Sequence, residues 1–277
     1  MEKLQAALDK ARKTRTGEGS VPVRRQLQTR PQAIAPEVDA LWQDLASFEV
    51  DPRLLVDHLV VTREAGEAAT PFDILRTKTL LQMRQNGWKR LAITSPMPGA
   101  GKTTVACNLA LGMGRQRDLR SMLFDLDLRD PSAHHFFETA PPYPIGDVLT
   151  GKVPFAAQGM RYGDNVAIST GHHPVADPTR LLLAEETAEV LDAIEAAYKP
   201  DLMIFDLPSV LVNDDTRAFL KNVDCALIVI RAEETRFGQF DTCEREVAEH
   251  TNVLGVVLNA YRYGENTAHK SWKGEKA

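Results

Sequence analysis

The segment Ser95-Pro-Met-Pro-Gly-Ala-Gly-Lys-Thr-Thr104 follows a short apolar run, Arg90–Thr94, and opens a stretch with helical spacing at 102–115. A glycine-rich loop between a strand and a helix is the context that a Walker A phosphate loop requires. Glycines at 99 and 101 let backbone amides approach a phosphate, and the helix N-terminus points further amides at the same anion. The strict motif has glycine where this sequence has Pro96. We nevertheless expect a nucleotide-binding loop rather than a plain turn.

Each polar residue of this loop has an expected role. Lys102 is predicted to reach the β- and γ-phosphates of ATP, and the Thr103 hydroxyl is predicted to bind Mg²⁺. We expect Lys102 to face solvent when no nucleotide is bound. The residues predicted to contact the nucleotide here are Pro98, Gly99, Ala100, Gly101, Lys102, Thr103 and Thr104.

Carboxylates follow two other apolar runs of the chain. Asp125 and Asp127, with Arg129 beyond them, end the run at 121–124, and Asp206 ends the run at 202–205. Ligands of a parallel sheet bind beyond the carboxyl ends of its strands. We therefore expect Asp125, Asp127 and Asp206 to converge on Mg²⁺ and the γ-phosphate. Aspartates also occur in helix caps and turns, but three such features in this order favour a site.

Short β-like runs alternate with helical patterns from Lys89 onward, which predicts a parallel sheet. The fold class is α/β, a doubly wound and mostly parallel sheet of the P-loop NTPase class. The predicted strands are Arg90–Thr94, Ser121–Phe124, Val166–Ser169, Leu202–Phe205, Ala226–Ile230 and Val253–Leu258. The predicted helices are Lys102–Arg115, Thr179–Tyr198 and Glu233–Glu249.

The 277 residues divide into four predicted segments. Residues 1–40 are predicted to be a disordered basic arm, either solvated or touching anionic lipid. Residues 41–88 are predicted to be a helical segment packed on the core, with a helix opened by Pro71. Residues 89–263 form the predicted P-loop domain, and residues 264–277 a flexible tail.

The composition restricts the function classes. The net charge of -5 gives no support to a nucleic-acid partner. No uncharged apolar run approaches the length of a membrane span, and the first residues do not resemble a signal peptide, so we expect a cytoplasmic protein. The three cysteines are expected to be buried reduced thiols. Neither histidine pair, 134–135 or 172–173, is expected to hold a metal, since adjacent side chains diverge.

Taken together, the motifs resemble the bacterial tyrosine kinases of capsule and exopolysaccharide synthesis, over roughly residues 70 to 260. The matching segments are Ser95–Thr103, Ala106–Ala110, Leu123–Ser132, Gly146–Leu149 with Gly151, Asp177–Leu182, Leu202–Pro208, Asp215 and Gly255–Asn259. The related partitioning ATPases carry a signature lysine where this chain has Met97, which disfavours them. The family's oligomerisation motif Glu-x-x-Arg-x-x-Arg falls at Thr70, Asp73 and Arg76, where only the last arginine matches.

The resemblance implies an ATP- and Mg²⁺-dependent protein-tyrosine (auto)kinase. The implied catalytic residues are Lys102, Asp125, Asp127 and Arg129, with Asp125 as the base for the tyrosine hydroxyl. Thr103, Asp127 and Asp206 are the implied metal ligands, Asn259 lies near the adenine, and Tyr261 and Tyr263 are the candidate acceptors.

The resemblance also implies partners. They are a membrane polysaccharide co-polymerase, which would hold the protein peripherally at the inner membrane, and further copies of the chain. The alternative function is a nucleotide-switched ATPase or ATP-binding assembly partner of that co-polymerase that does not modify tyrosine.

Overall fold

The computed structural model describes residues 36–261, and the predicted tail at 264–277 and most of the predicted arm lie outside this range. Within it, eight strands form one sheet in the order β1-β4-β5-β3-β6-β2-β7-β8. The strands are β1 (Ala46–Ser47), β2 (Arg90–Thr94), β3 (Ser121–Asp125), β4 (Met160–Tyr162), β5 (Val166–Ser169), β6 (Leu202–Asp206), β7 (Cys225–Arg231) and β8 (Asn252–Asn259). All neighbouring strands are parallel except β4 and β5. The predicted doubly wound α/β class is confirmed.

Eleven helices are present among the described residues. They are α1 (Pro36–Asp44), α2 (Pro52–Asp57), α3 (Thr70–Asn86), α4 (Lys102–Gly114), α5 (Ala133–Phe137), α6 (Ile145–Leu149), α7 (Phe155–Gln158), α8 (Pro178–Leu183), α9 (Glu185–Tyr198), α10 (Asp215–Leu220) and α11 (Phe237–Ala248).

Two apolar clusters cover the two faces of the sheet, because successive strand residues point to opposite sides. On one face, Leu123 and Ile204 pack with the buried side of α4, the helix that follows the phosphate loop. On the other face, Phe124 and Phe205 pack with residues of α9 and α11. The sheet is thus buried on both sides, and ligands can reach only its edges.

The six strands predicted from the sequence agree with the structure to within one residue at each end. Two predicted helices are different. The predicted helix 179–198 is two helices, because Ala184 is extended and Thr187 Oγ1 bonds the carbonyl of Leu181 at 2.7 Å. The predicted helix 233–249 begins only at Phe237, because Glu233 lies in a turn with a φ of 66°.

The first helix corrects the boundary predicted at residue 40, since α1 begins at Pro36. It forms there because Trp42 is fully buried and donates from Nε1 to the carbonyl of Tyr198 at 2.8 Å. The segment predicted to be helical also contains strand β1, which pairs with β4 at the sheet edge.

A buried asparagine ties the N-terminal segment to the helix after the phosphate loop. Asn108 Oδ1 accepts from the amide of Val61 at 2.9 Å, and its Nδ2 donates to the carbonyl of Leu59 at 2.9 Å. Thr62 Oγ1 donates to the Asn108 carbonyl at 2.6 Å. Residues 59–62 are therefore fixed to α4.

Among residues 36–261, no helix combines the length and the apolar composition needed to cross a bilayer.

Candidate functional site

The phosphate loop lies at the carboxyl end of β2, between its neighbours β6 and β7. Gly99 and Gly101 have φ values of 79° and 89°, a region that side chains other than glycine rarely adopt. The loop is anchored to the segment after β6, where the amide of Val210 donates to the carbonyl of Ser95 at 2.9 Å. Helix α4 begins at Lys102, so its free N-terminal amides open onto the loop.

Lys102 does not face solvent, which corrects the expectation from the sequence. Its side chain is folded back beside the carboxyl end of β6, with Nζ 3.5 Å from Ser209 Oγ, and the residue is only 9% exposed. Burial raises the pKa values of Asp206 and Asp127, and the positive charge of Lys102 offsets part of both increases, since the ammonium lies near both carboxylates. In the absence of a phosphate, those carboxylates are the partners that a buried ammonium needs.

Asp206 is a fully buried carboxylate without a hydrogen bond. Within the described residues, neither of its oxygens has a hydrogen-bond partner. Burial raises its pKa from 3.8 to about 6, although Lys102 and the nearby Thr103 hydroxyl favour the charged form. Burying an unsatisfied carboxylate is costly, so its retention here points to a cation that it binds.

Asp125 is paired directly with Asp206 across the β3–β6 ladder. It is also fully buried, and its Oδ2 accepts from the amides of Ser132 and Ala133 at 3.0 and 2.9 Å. Burial and the Asp206 charge raise its pKa well above the usual value. Asp125 therefore holds the loop between β3 and α5, and its carboxylate is closed to solvent in this conformation.

Asp127 is the most accessible of the three carboxylates, being only partly buried. Burial raises its pKa, while Lys102 and the backbone amide of Asp130 lower it. Among these three aspartates, it alone combines contact with solvent and proximity to Lys102.

Arg129, predicted to be catalytic, is bound within the protein. Its Nε and Nη2 donate to the two oxygens of Asp215 at 2.6 and 3.0 Å, and Nη2 also reaches Thr179 Oγ1 at 3.3 Å. Asp215 is fully buried at the start of α10. The guanidinium thus joins the loop after β3 to α8 and α10 instead of pointing to the phosphate loop.

The residues around Thr103 and Asp206 suit a magnesium ion. Magnesium takes one or two carboxylates and completes its shell with water and phosphate oxygens. Asp206 offers two oxygens that lack a well-formed hydrogen bond, the Thr103 hydroxyl lies near enough to lower the pKa of Asp206, and Thr103 Oγ1 is a long 3.4 Å from Ser132 Oγ. No group of three or more His, Cys, Asp or Glu side chains in residues 36–261 is arranged to hold a metal.

Asn259, expected near the adenine, lies against the phosphate loop. Its Nδ2 donates to the carbonyl of Ala100 at 2.8 Å. Beside it, Met97, Pro98, Ala100, Arg231, Glu234, Thr235 and Gln239 line a cavity of about 180 Å³. Tyr261, a candidate acceptor, is 56% exposed just beyond β8, and Tyr263 lies outside the described residues.

Three features near the site were not apparent from the sequence. The turn after β7 bonds the phosphate loop through Arg231. Thr139 Oγ1 lies 3.1 Å from Thr170 Oγ1, so the segment after helix α5, which carries His134 and His135, packs against the loop that carries His172 and His173. Burial and the other three histidines lower the pKa of His134. Sequence spacing gives no signal for these contacts, because the partners lie on separate strand ends.

Comparison with known proteins agrees with this geometry. The family model of the CobQ/CobB/MinD/ParA nucleotide binding domain matches residues 91–273. The putative tyrosine-protein kinase EpsB of Ralstonia nicotianae is 30% identical over 215 residues, which cover 72% of this chain and 27% of that protein. The tyrosine-protein kinase YwqD of Bacillus subtilis is 28% identical over 214 residues, which cover 76% of this chain and 89% of that protein.

Solved structures show the same fold. The kinase domain of the Escherichia coli tyrosine kinase ETK superposes with a TM-score of 0.69 at 24% identity, covering 82% of this chain and 87% of that one. The chain spans about a quarter of the length of EpsB.

Proposed function

This chain belongs to the CobQ/CobB/MinD/ParA nucleotide-binding domain family, and on that premise we propose that it is an ATP- and Mg²⁺-dependent protein-tyrosine kinase of exopolysaccharide or capsule biosynthesis. The observation that carries the proposal is the buried Asp206, which has no well-formed hydrogen bond and lies beside Lys102 and Thr103. Similarity to proteins named tyrosine-protein kinases supports the choice of reaction.

In this proposal, residues of the phosphate loop and of the strand ends have separate roles in binding phosphate and magnesium. Lys102 leaves the carboxylates and reaches the β- and γ-phosphates, which are better partners for a point charge. Thr103 and Asp206 would hold a magnesium ion, and Asp127 would support it with a further negative charge. The ion, when bound, neutralises charge that develops on the transferred phosphoryl group.

We assign the base to Asp127 instead of Asp125. A base must come within hydrogen-bond distance of the hydroxyl that it deprotonates. Asp127 is partly exposed, whereas the oxygens of Asp125 are buried and accept backbone amides. Asp125 and Arg129 then position the loop that carries Asp127.

The proposed acceptors are Tyr261 and Tyr263, the only tyrosines after Tyr198. Tyr261 follows β8, whose carboxyl end is fixed to the phosphate loop through Asn259. Tyr261 lies only two residues beyond Asn259, and that span is too short for Tyr261 to reach the phosphate site of its own chain easily. Transfer between two copies of the chain is therefore the proposed route, and its rate should rise with protein concentration.

The proposed partners are a membrane polysaccharide co-polymerase and further copies of the chain, with the protein at the cytoplasmic face of the inner membrane. Gathering copies at a membrane raises their effective concentration for transfer between subunits. Arg76, the one matching arginine of the oligomerisation motif, is buried and bonds Asp73 and the Gly112 carbonyl, each at 2.9 Å. We therefore propose that a homo-oligomer of this chain uses contacts other than Arg76.

The second candidate function is a nucleotide-switched assembly partner that holds or hydrolyses ATP without modifying tyrosine. The buried state of Asp125 favours it, because the predicted base is closed to a substrate.

Incubation with γ-labelled ATP and Mg²⁺, followed by mass spectrometry, separates the two functions. The kinase predicts phosphotyrosine at Tyr261 or Tyr263 and its loss in the double phenylalanine variant. Tyr143→Phe removes another exposed tyrosine and serves as the matched control, with labelling unchanged. Normal ATP binding without phosphotyrosine, at high protein concentration and with the co-polymerase present, would leave only the nucleotide switch.

A further inference from the structure

Two side chains from the ends of β7 and β8 bond successive carbonyls of the phosphate loop. Arg231 Nη1 donates to the carbonyl of Gly99 at 2.8 Å, and Asn259 Nδ2 donates to the carbonyl of Ala100 at 2.8 Å. Arg231 and Asn259 are themselves opposite one another in the β7–β8 register. The amide of Ala232 donates to the Asn259 carbonyl at 2.9 Å, which fixes the two strand ends together.

The turn after β7 holds Arg231 in place. Its amide donates to Thr235 Oγ1 at 2.9 Å, and the amide of Thr235 donates back to the Arg231 carbonyl at 3.0 Å. Its Nε lies 2.8 Å from Glu234 Oε1. With both the backbone and the guanidinium bonded, the donor to Gly99 is set before any ligand binds.

Asn259 is packed closely enough to restrict the loop. A Cβ built on Gly101 would come within 2.2 Å of Asn259 Nδ2, and Gly101 has a φ of 89°. Any side chain at 101 would displace the asparagine and break its bond to Ala100. The glycine therefore serves the contact with Asn259 as well as the backbone conformation.

The two bonds also set the direction of two amides. In a trans peptide, the carbonyl of one residue and the amide of the next lie in one plane and point in opposite directions. Bonding the carbonyls of Gly99 and Ala100 toward β7 and β8 turns the amides of Ala100 and Gly101 away from those strands. Amides that are oriented before binding stabilise an anion without a cost of reorganisation.

We propose that Arg231 and Asn259 are positioning residues that shape the phosphate cradle by holding the Gly99 and Ala100 carbonyls, so that the amides of Ala100 and Gly101 face the phosphates. The proposal rests on the nucleotide-binding function and deepens it. If Asn259 instead contacted the adenine, replacing it would weaken only ligands that carry a base. Under the proposal, replacing either side chain weakens the binding of any polyphosphate.

Calorimetry with two probes, Mg-ATP and Mg-tripolyphosphate, tests this difference. Tripolyphosphate has neither base nor ribose, so only the cradle can bind it. Arg231→Gln and Asn259→Ala are each expected to lower the affinity for Mg-ATP and for Mg-tripolyphosphate by a similar factor. That factor is about 10-fold or more for the loss of a hydrogen bond of this kind. Arg231→Lys, which keeps one charged donor, is expected to recover part of the loss.

Arg245→Gln is the matched control, since Arg245 is exposed on α11 and pairs with Asp241. Its affinity for both probes should equal that of the wild type. Melting temperatures without ligand check that each variant is folded.

Several outcomes overturn the inference while leaving nucleotide binding intact. A loss for Mg-ATP alone in Asn259→Ala, with tripolyphosphate unchanged, assigns that residue to the base. Unchanged affinities in Arg231→Gln remove its positioning role. Wild-type protein that binds Mg-ATP but not tripolyphosphate also contradicts a preshaped cradle. Wild-type protein that binds neither probe contradicts the proposed function itself.

Discussion

Replacing Asp206 with asparagine should change the stability of the empty protein and its magnesium-dependent binding in opposite directions. Burial holds the folded-state pKa of Asp206 at about 6, against an ordinary value of 3.8. A difference of that size is worth about 3 kcal/mol between the two protonation states. The folded protein therefore carries at neutral pH an ionised, buried carboxylate that lacks a well-formed hydrogen bond, at a cost of that order.

The sign of the pH dependence follows from the raised pKa. The stability associated with a protonated Asp206 is fully present below about pH 4, the ordinary range of a carboxyl group, and is lost as the pH rises through about 6. Asp206→Asn removes the ionisable group, so the variant does not lose this stability as the pH rises. A buried amide left without partners costs about 1 to 3 kcal/mol, so the net gain in stability at neutral pH is at most about 2 kcal/mol. In a domain of this size a gain of about 2 kcal/mol corresponds to a rise in Tm of about 4 to 8 °C.

The same substitution should impair the bound state. The asparagine oxygen is a neutral and weaker ligand, so affinity for Mg-ATP is expected to fall about 10- to 100-fold. With EDTA present, nucleotide affinity should stay the same or rise, because a negative charge near the phosphates is gone. Asp164→Asn, on an exposed carboxylate that pairs with Arg161 at 3.5 Å in the β4–β5 turn, is the control and should change neither property.

Thermal melts in EDTA across about pH 4 to 8, with calorimetry with and without Mg²⁺, measure both effects. A lower Tm for Asp206→Asn in EDTA at neutral pH would show that the carboxylate is satisfied in the folded protein. Equal losses of affinity with and without Mg²⁺ would assign Asp206 a purely structural role. Either result refutes the reasoning.

Three further experiments, on Lys102, on Trp42 and on the cysteines, test separate parts of the structure. Lys102→Met should abolish Mg-ATP binding in calorimetry with an unchanged circular dichroism spectrum, because the lysine supplies the charge for the phosphates; wild-type affinity contradicts the site. Trp42→Ala should lower the free energy of unfolding by about 3 to 5 kcal/mol in denaturant titrations. Trp42→Phe, which loses the hydrogen bond to the Tyr198 carbonyl, should lower the free energy of unfolding by less than Trp42→Ala does. Equal decreases would contradict a packing role for the Trp42 ring. Burial raises the pKa values of Cys225 and Cys243 to about 12. A thiol reagent at about pH 8 should therefore label neither cysteine until the protein unfolds. Rapid labelling of these cysteines in the native protein would contradict their burial.

The strands and the phosphate loop could be predicted from the sequence because their signals are local. Apolar runs such as Leu202–Phe205 are buried on both sides, and the alternation of strand and helix patterns identifies a parallel sheet. Glycine spacing before Lys102 indicates a phosphate loop without knowledge of what surrounds it. The convergence of Asp125 and Asp206 followed from one topological rule, that the ends of parallel strands share an edge.

The short helices and the helix boundaries could not be predicted in the same way. Helix α1 is stabilised by Trp42 against Tyr198, a contact between residues 156 positions apart. The break at Ala184 is fixed by a side-chain bond from Thr187, which a periodic apolar pattern does not reveal. Segments of four to six residues have too few turns to show helical periodicity.

The sequence by itself determined which residues could act at the site: the lysine, the threonine and the three aspartates at the strand ends. Only the tertiary structure decided how they are used. It buries Asp125 under the amides of Ser132 and Ala133, leaves Asp206 unpaired, and binds Arg129 to Asp215. The physical reason is that burial, hydrogen bonding and neighbouring charge depend on groups far away in the chain, whereas a motif records only the identity and spacing of its own residues.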